Sequence, residues 1–163
     1  MSRYLTDDRQ KIREIKENKK QYLELLLLAD EQEDMIDRYL ERGVMYILDD
    51  NGIKAECVVT DEEDGILEIK NLAVMPGFQR HGYGKKMIRF LIDTYRGHYD
   101  ILQVGTGDSP ETLPFYEACG FRRSHVVKGF FTKYYDYPIY EGGRQLVDMV
   151  YLRMSLTTES DLE

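Results

Sequence analysis

The segment 79–84, Gln-Arg-His-Gly-Tyr-Gly, has the clearest potential for chemistry, because it lies between a predicted strand that ends at Val74 and a predicted helix that begins near Gly82. The first amides of a helix have no intrahelical acceptor, and the helix dipole places partial positive charge there. Gly82 and Gly84 lack side chains where a bulky anion would approach the backbone. Basic side chains add positive charge around this turn: Arg80, His81 and Lys85. The pattern therefore predicts a site for a pyrophosphate group.

Other phosphate-binding motifs do not fit this segment. A dinucleotide fingerprint needs three glycines at a different spacing and an early βαβ unit. A P-loop needs Gly-Lys followed by Ser or Thr, whereas Gly84 and Lys85 are followed by Lys86. A glycine-rich helix start without any ligand stays open as the structural alternative.

The length and charge of the chain limit the classes of function. Its 163 residues suit one compact domain, and the formal net charge of -8 disfavours non-specific binding to nucleic-acid phosphates. The sequence has no apolar segment long enough to cross a membrane and no apolar signal core near its amino terminus. Cys57 and Cys119 form no metal-ligand spacing with each other or with the histidines, so buried free thiols in a reducing compartment are expected. We therefore expect a cytoplasmic protein without a metal site.

The elements that must position the turn follow from hydrophobic periodicity. Strands are predicted at 12–16, 44–48, 53–59, 66–74, 101–104, 121–127 and 146–154. Helices are predicted at 22–29, at 35–40 with Gly43 as the carboxyl-terminal cap, at 82–95 and at 111–119. A loop at 105–110 and an aromatic-rich connection at 129–143 join the later elements. The order of helices, an antiparallel meander and then alternating strands and helices predicts an α/β (α+β) single domain.

Three sequence patterns together resemble the GNAT superfamily of N-acetyltransferases. The acetyl-CoA signature of that family, Gln/Arg-x-x-Gly-x-Gly/Ala, is matched by Gln79, Gly82 and Gly84. The preceding strand in the family often ends in Leu-Ala-Val, as at Leu72, Ala73 and Val74. A downstream signature, Phe-Tyr-x-x-x-Gly-Phe, is matched by Phe115, Tyr116, Gly120 and Phe121. The resemblance covers roughly 23–154, which is nearly the whole chain.

The resemblance implies a single N-acetyltransferase domain over 1–163, with its core at 23–154, a flexible tail at 157–163, and a mixed, twisted central sheet flanked by about four helices. Acetyl-CoA would be the co-substrate, without a metal. Amides of 79–84 would hold its pyrophosphate, and backbone groups of Leu72 and Val74 would hold its pantetheine arm. The loop after the fifth strand often carries an asparagine in the family, where this chain has Asp108 and Ser109. The implied cofactor-binding residues are Leu72, Ala73, Val74, Gln79, Arg80, His81, Gly82, Tyr83, Gly84, Lys85, Asp108 and Ser109.

The resemblance also implies catalytic groups. Acetyl transfer to an amine needs a neutral nucleophile, stabilisation of the oxyanion and protonation of the departing thiolate. Glu68 is the candidate base, because family members that use a glutamate often place it at this distance before Ala-Val; a water chain as base, or a merely solvated Glu68, are the alternatives. The Leu72 amide is the candidate oxyanion donor. Tyr116 matches a tyrosine that often protonates the thiolate, and its alternative role is packing beside Phe115 and Phe121.

The predicted function is the transfer of acetyl from acetyl-CoA to a primary amine by direct attack in a ternary complex. The acceptor is a small molecule or an exposed protein amine, and neither nucleic acid nor a membrane is an expected partner. The aromatic side chains and carboxylates at 129–141 would suit an ammonium group, a packed hairpin or the subunit interface of a homodimer. A non-catalytic acyl-CoA-binding module and a purely structural interaction domain are the alternative functions.

Overall fold

The computed structural model describes residues 11–157 of the chain, which form two compact units. The first unit contains the residues up to Asp61 together with Ile69–Tyr95. The second unit contains Glu62–Glu68 together with the residues from Arg96 onward. Of the tail predicted to be flexible, residues 158–163 lie outside the described part. A single domain over 1–163 stays a prediction.

The described residues contain nine strands and five α-helices, with a 3-10 helix at Lys19–Tyr22. The strands are β1 Ile12–Ile15, β2 Val44–Asp49, β3 Ile53–Asp61, β4 Ile66–Val74, β5 Ile101–Gly107, β6 Arg122–Val127, β7 Tyr140–Glu141, β8 Arg144–Gln145 and β9 Met149–Ser155. The helices are α1 Leu23–Ala29, α2 Glu33–Ile36, α3 Tyr83–Tyr95, α4 Leu113–Ala118 and α5 Phe130–Tyr134. Seven strands are hydrogen-bonded in the order β1-β2-β3-β4-β5-β9-β6, and β7 pairs with β8. This architecture confirms the predicted α/β class, with five α-helices where about four were expected.

In the first unit β1, β2 and β3 are neighbouring antiparallel strands, with α1 and α2 between β1 and β2 in the chain. Ile12 pairs with Leu48, and Ile47 pairs with Glu56. At the turn between β2 and β3, Gly52 has a φ of +115°, which favours glycine. Apolar side chains from the helices and strands form one buried cluster: Leu26, Ile36, Tyr39, Leu40, Met45, Ile47 and Val58. This cluster fixes α1 and α2 against β2 and β3.

The second helix is shorter than the sequence predicts. A helix through Leu40 capped by Gly43 was expected, but α2 ends at Ile36 and turns follow it. Gly43 does not have the positive φ of a cap glycine; it is needed because a Cβ there would lie 2.7 Å from Val58 Cγ1. The segment after α2 is stabilised without a regular helix by the buried ammonium of Lys19. This ammonium donates hydrogen bonds to Leu40 O at 2.9 Å and to Gly43 O at 2.7 Å.

Replacing Lys19 by Met should destabilise the first unit. The methionine keeps the apolar stem but leaves buried carbonyl groups without their charged donor, and each such hydrogen bond contributes roughly 1.5–3 kcal/mol. We expect the free energy of unfolding in urea to fall by about 3 kcal/mol. Lys16→Met, at an exposed position of the same segment, is the matched control and should change it by less than about 0.5 kcal/mol. Equal effects of the two substitutions would show that Lys19 is not a structural donor.

In the second unit β9 lies between β5 and β6 and is antiparallel to both. β5 extends to Gly107, although the sequence predicts a loop from residue 105. A Cβ at Gly107 would lie 2.6 Å from Leu146 Cδ1, so glycine allows this side chain to pack on the strand. β9 begins at Met149 instead of residue 146, because the Leu146 amide is already committed to Ile139 O at 2.8 Å. Both differences from the predicted strand bounds therefore arise from contacts of Leu146.

The aromatic-rich connection contains α5, which the sequence did not predict, and β7, while β8 follows it and completes a hairpin. Its rings contact one another, with centroids 4.9 Å apart for Phe130 and Tyr134 and 5.4 Å apart for Phe131 and Tyr135. Gly129 precedes α5 with a φ of +69°, and its amide donates to Asp148 Oδ1 at 2.8 Å. The connection is therefore ordered, packed secondary structure, as the hairpin alternative anticipated.

The described residues include neither a helix able to span a membrane nor a cluster of metal ligands. Among residues 11–157, no helix has the length and apolar character needed to span a membrane. Within the same range, no group of three or more His, Cys, Asp or Glu side chains is arranged to hold a metal ion.

Candidate active site

The predicted pyrophosphate turn lies in the first unit, between β4 and α3. Lys86 N donates to Gly82 O at 3.0 Å, which closes the first turn of the helix. Gly77, Arg80 and Gly82 have φ angles of +88°, +66° and +85°. Left-handed residues interspersed among ordinary ones turn successive amides toward one side, as in anion-binding nests. A Cβ added to Gly82 would meet nothing within 4 Å, its chain neighbours aside, so the backbone is open to a ligand there.

The turn is held to the β2–β3 hairpin at both of its ends. At the helix end, the Tyr83 hydroxyl donates to Asp50 Oδ2 at 2.9 Å. That hydrogen bond, together with the Lys11 ammonium, lowers the pKa of Asp50. At the strand end, Lys54 Nζ lies 4.4 Å from the centre of the Phe78 ring. Between these anchors the predicted residues are exposed, namely Gln79, Arg80, His81 and Gly82, as is Lys85, while Gly84 is buried in the first turn.

The end of β4 that leads into the turn also belongs to the first unit. Ala73 is buried, whereas Leu72 and Val74 are half-buried. Met75 N donates to Lys54 O at 2.8 Å, so β3 runs beside this end of β4. The three residues predicted to carry the pantetheine arm therefore stand on a strand that is anchored directly before the exposed turn.

Glu68 lies on the part of β4 that belongs to the second unit. Glu68 is only 5% exposed, and its Oε1 accepts a hydrogen bond from Gln103 Nε2 at 2.6 Å. Gln103 Oε1 in turn accepts from Arg153 Nε at 2.7 Å. Burial, followed by the charge of Glu68, raises the pKa of Tyr151 to about 12. Glu68 is thus a buried, oriented carboxylate and not the solvated strand residue that the sequence left open.

Tyr116 lies in α4 of the second unit and is buried. Its ring packs edge-on against Phe115, with centroids 5.1 Å apart, and against Phe121, with centroids 5.6 Å apart. Phe121 N donates to Tyr116 O at 3.1 Å, which ends the helix. The packing predicted as an alternative role is therefore present, and it fixes the direction of the phenol.

The loop after β5 places Asp108 and Ser109 in different surroundings. The Asp108 carboxylate is exposed and lies 3.4 Å from Arg144 Nη1. Ser109 is fully buried, and its Oγ accepts a hydrogen bond from Glu111 N at 3.1 Å. Ser109 O also accepts from Leu113 N at 3.2 Å, so this residue organises the start of α4. Of the two, Asp108 has the side chain that faces solvent.

Comparison with known proteins identifies the family. A family model described as an acetyltransferase (GNAT) domain matches residues 41–123, a range that contains β4, the exposed turn, α3 and Tyr116. The chain belongs to the GNAT acetyltransferases. It is therefore an enzyme of the acyltransferase class, an N-acetyltransferase.

Relatives of this GNAT acetyltransferase include a Bacillus subtilis protein described as uncharacterized N-acetyltransferase YvbK. It is 36% identical over 136 residues, which are 82% of this chain and 88% of that protein. A GNAT family acetyltransferase from Elizabethkingia anophelis, solved with acetyl-CoA bound, has 34% identity and a TM-score of 0.83 over 88% of this chain and 96% of its own. An acetyltransferase of Bacillus subtilis in complex with CoA has 34% identity and a TM-score of 0.81 over 89% and 97%.

Sequence reasoning found the acetyltransferase family and the turn, but it missed polar residues that lie inside strands. Gln103 and Arg153 orient Glu68, and Glu56 is a fully buried carboxylate of β3. All three stand in segments whose apolar neighbours predict a strand. Each of these residues places a charged or amide side chain at a position where the pattern predicts a buried one. Such a buried polar group needs a partner, and this was the signal that could have identified it.

Proposed function

We propose that this acetyltransferase transfers the acetyl group of acetyl-CoA to a primary amine by direct attack in a ternary complex. The observation that carries the proposal is the open, left-handed backbone at Gly82 at the exposed start of α3. Acetyl-CoA and CoA are bound by the relatives from Elizabethkingia anophelis and Bacillus subtilis, each 34% identical. The cytoplasmic location and a homodimer stay predictions.

The proposed cofactor contacts follow from the chemistry of each segment. Backbone amides of 79–84 donate hydrogen bonds to the pyrophosphate at the positive end of the α3 dipole, and the exposed side chains of Arg80 and Lys85 add positive charge. Backbone groups of Leu72, Ala73 and Val74 bind the pantetheine amides as an added strand would. Asp108 and Ser109 contribute polar groups of the loop after β5, Asp108 through its exposed side chain and Ser109 through its backbone.

The proposed chemistry assigns one task to each of three residues. Acetyl-CoA supplies a thioester carbonyl whose C–S bond breaks as the C–N bond to the amine forms. The Leu72 amide donates a hydrogen bond to the oxyanion, a contribution that is typically worth about a hundredfold to a thousandfold in rate. Tyr116 donates its phenolic proton to the departing sulfur. Glu68 accepts the proton that the ammonium form of the acceptor must lose.

The surroundings of Glu68 support its role as the base. Gln103 donates to Oε1, and Arg153 fixes the orientation of the Gln103 amide. A carboxylate that is held in one rotamer loses little entropy when it receives a proton from a bound substrate. The alternative is that a water chain deprotonates the amine and that Glu68 is only a structural member of this hydrogen-bonded chain.

Replacing Glu68 by Gln should lower the rate chiefly at low pH. At low pH the acceptor is almost entirely in its ammonium form, so the rate depends most strongly on the base. At high pH the free amine is already abundant. We expect kcat/KM for the amine to fall by about a hundredfold near pH 6.5, with a much smaller effect near pH 9. The measurement is a pH profile of thiol release for the variant, the wild type and the exposed control Glu17→Gln.

A uniform loss across this pH range would instead assign Glu68 a structural role and favour the water chain. Either conclusion requires that the control variant Glu17→Gln has the same rates as the wild type.

The proposed function is tested with a panel of primary amines and thiol release as the readout. A thermal-shift measurement with acetyl-CoA comes first, because a ligand that binds the folded state raises the melting temperature. Stabilisation by acetyl-CoA and turnover with at least one amine would support the proposal. Stabilisation without turnover on any amine would favour a non-catalytic acyl-CoA-binding module, and no stabilisation would contradict the cofactor assignment.

A further inference from the structure

Arg122 and Arg153 form a pair of like charges on one face of the sheet in the second unit. They are directly paired residues of the antiparallel strands β6 and β9. Their Cβ atoms therefore lie about 4.5–5.5 Å apart on the same side of the sheet. Like charges that stand opposite each other in this way destabilise a sheet. A carboxylate of this chain or an anionic ligand would remove that repulsion.

In the part of the chain that the structure describes, no carboxylate is bound to this arginine pair. Arg122 is exposed and makes no hydrogen bond or ion pair with a described residue. Arg153 donates one hydrogen bond, from Nε to Gln103 Oε1 at 2.7 Å, so Nη1 and Nη2 keep their donors. The neighbouring Arg123 differs, because its Nε lies 3.6 Å from Glu117 Oε2. The paired guanidinium groups are thus available to an anion from outside the described residues.

The arginine pair is one end of a row of polar side chains that crosses four strands. Gln103 of β5 is paired with Arg153, and Gln103 Nε2 donates to Glu68 Oε1 of β4 at 2.6 Å. The row therefore begins with a carboxylate, continues through an amide and ends with two guanidinium groups. Adjacent strands lie about 4.8 Å apart, so β9 and β6 are roughly 10–14 Å from β4. The two ends of the row carry opposite charge.

An aromatic pair borders the row on the same face. His125 and Tyr151 are the next paired residues on that side of β6 and β9, and their rings stack with centroids 4.7 Å apart and planes 7° apart. Tyr151 leans across β5, since a Cβ added to Gly105 would lie 2.8 Å from Tyr151 Cε1. The stacked rings form a flat wall beside the polar row, along which an extended molecule can lie.

We propose that Arg122 and Arg153 bind a carboxylate of the acceptor, which is a molecule with a carboxylate roughly 10 Å from its reacting amine, such as a medium-chain ω-amino acid. The inference rests on the proposed amine acetylation with Glu68 as the base. The amine then lies at the Glu68 end of the row, and the carboxylate lies over β9 and β6. Guanidinium groups have planar arrays of donors that match the two oxygens of a carboxylate. The bound anion also offsets the repulsion within the arginine pair.

The two arginines differ in what their removal would change. Arg153 also orients Gln103, so its replacement would disturb Glu68 as well as the anion site. Arg122 makes no such contact, and its replacement therefore tests anion binding alone. Arg123 provides a matched control, because it is the adjacent residue, is also exposed, and stands on the opposite face of β6.

The test compares Arg122→Gln with the wild type and with the control Arg123→Gln. The probes are 8-aminooctanoate and its neutral counterpart 8-aminooctanamide, which share the amine and the chain. We expect Arg122→Gln to raise KM for 8-aminooctanoate about tenfold, because a hydrogen bond to a charged group is lost. KM for the amide should change by less than about twofold. Arg123→Gln should match the wild type with both probes.

Other outcomes overturn the site. An equal rise in KM for the two probes, or equal effects of Arg122→Gln and Arg123→Gln, would show that the arginine pair does not bind the carboxylate. The phosphates of coenzyme A are a second source of anions, so calorimetry compares acetyl-CoA with acetyl-dephospho-CoA. If Arg122→Gln weakens the binding of acetyl-CoA but not of acetyl-dephospho-CoA, the pair belongs to the cofactor and the acceptor assignment is wrong.

Failure of the proposed function is separate, because it appears in the wild type as no turnover with any amine. The anion site is then decided by saturation-transfer NMR with 8-aminooctanoate, which needs no reaction. A binding signal in the wild type and in Arg123→Gln that Arg122→Gln weakens would support the site. Equal signals in all three proteins, or no signal in the wild type, would overturn it.

Discussion

Gly82→Val should abolish measurable binding of acetyl-CoA. Gly82 has a φ of +85°, and the space in the direction of its Cβ is open, so a branched side chain would stand where the pyrophosphate is proposed to meet the amides of α3. Losing two charge-assisted hydrogen bonds, at about 1.5–3 kcal/mol each, corresponds to a loss of affinity of at least about a hundredfold. Titration calorimetry with acetyl-CoA measures this directly.

Gly97→Val provides a matched control for the backbone strain. Gly97 has a φ of +90° and likewise meets nothing within 4 Å in the direction of its Cβ. It follows the last residue of α3 by two positions, at the opposite end of the helix from Gly82. Both valines should cost about 1–2 kcal/mol of stability, because the left-handed conformation is unfavourable for side chains. If Gly82→Val binds acetyl-CoA as tightly as Gly97→Val does, the pyrophosphate assignment is wrong.

Elements with a strong local signal could be predicted from the sequence to within a few residues. β4 has the predicted bounds, because an alternating segment is followed at once by Pro76 and Gly77. α3 begins one residue after the predicted start, and its apolar side chains at Met87, Ile88 and Leu91 are buried as the helical spacing requires. In both cases the information lies within the segment itself.

The boundaries that differ are set by contacts distant in sequence. α2 stops at Ile36, and the turns after it give Leu40 O and Gly43 O to the ammonium of Lys19, more than twenty residues earlier. β5 continues through Gly107 because Leu146 packs on it, although glycine locally favours a loop. Neither contact has a signature in the local sequence.

The residues of the candidate site also differ in whether their signal is local in sequence or depends on distant contacts. The exposed turn at 79–84 was predictable, because a helix start, glycines and basic residues are neighbours in sequence. The buried polar groups were not, since Gln103 becomes informative only when it contacts Glu68 and Arg153, which are 35 and 50 residues away. Asn71 and Glu56 similarly occupy strand positions where the pattern alone indicates core.

Tyr116→Phe should slow acetyl transfer by about a hundredfold without weakening the binding of acetyl-CoA. The phenylalanine keeps the ring that packs edge-on against Phe115 and Phe121, so α4 should retain its position. What it removes is the hydroxyl proposed to protonate the departing thiolate. An unprotonated thiolate is a poorer leaving group, so the loss should appear in kcat, with the dissociation constant for acetyl-CoA unchanged.

Steady-state kinetics of thiol release and calorimetry with acetyl-CoA, on the same preparations, separate the two roles of Tyr116. Tyr137→Phe, at an exposed tyrosine, is the control for removing a hydroxyl and should behave as the wild type. Proportional losses in kcat and in acetyl-CoA affinity, accompanied by a lower melting temperature, would assign Tyr116 to packing. A loss confined to kcat requires a group that acts on the reacting atoms, because the packing of the ring is the same in both proteins.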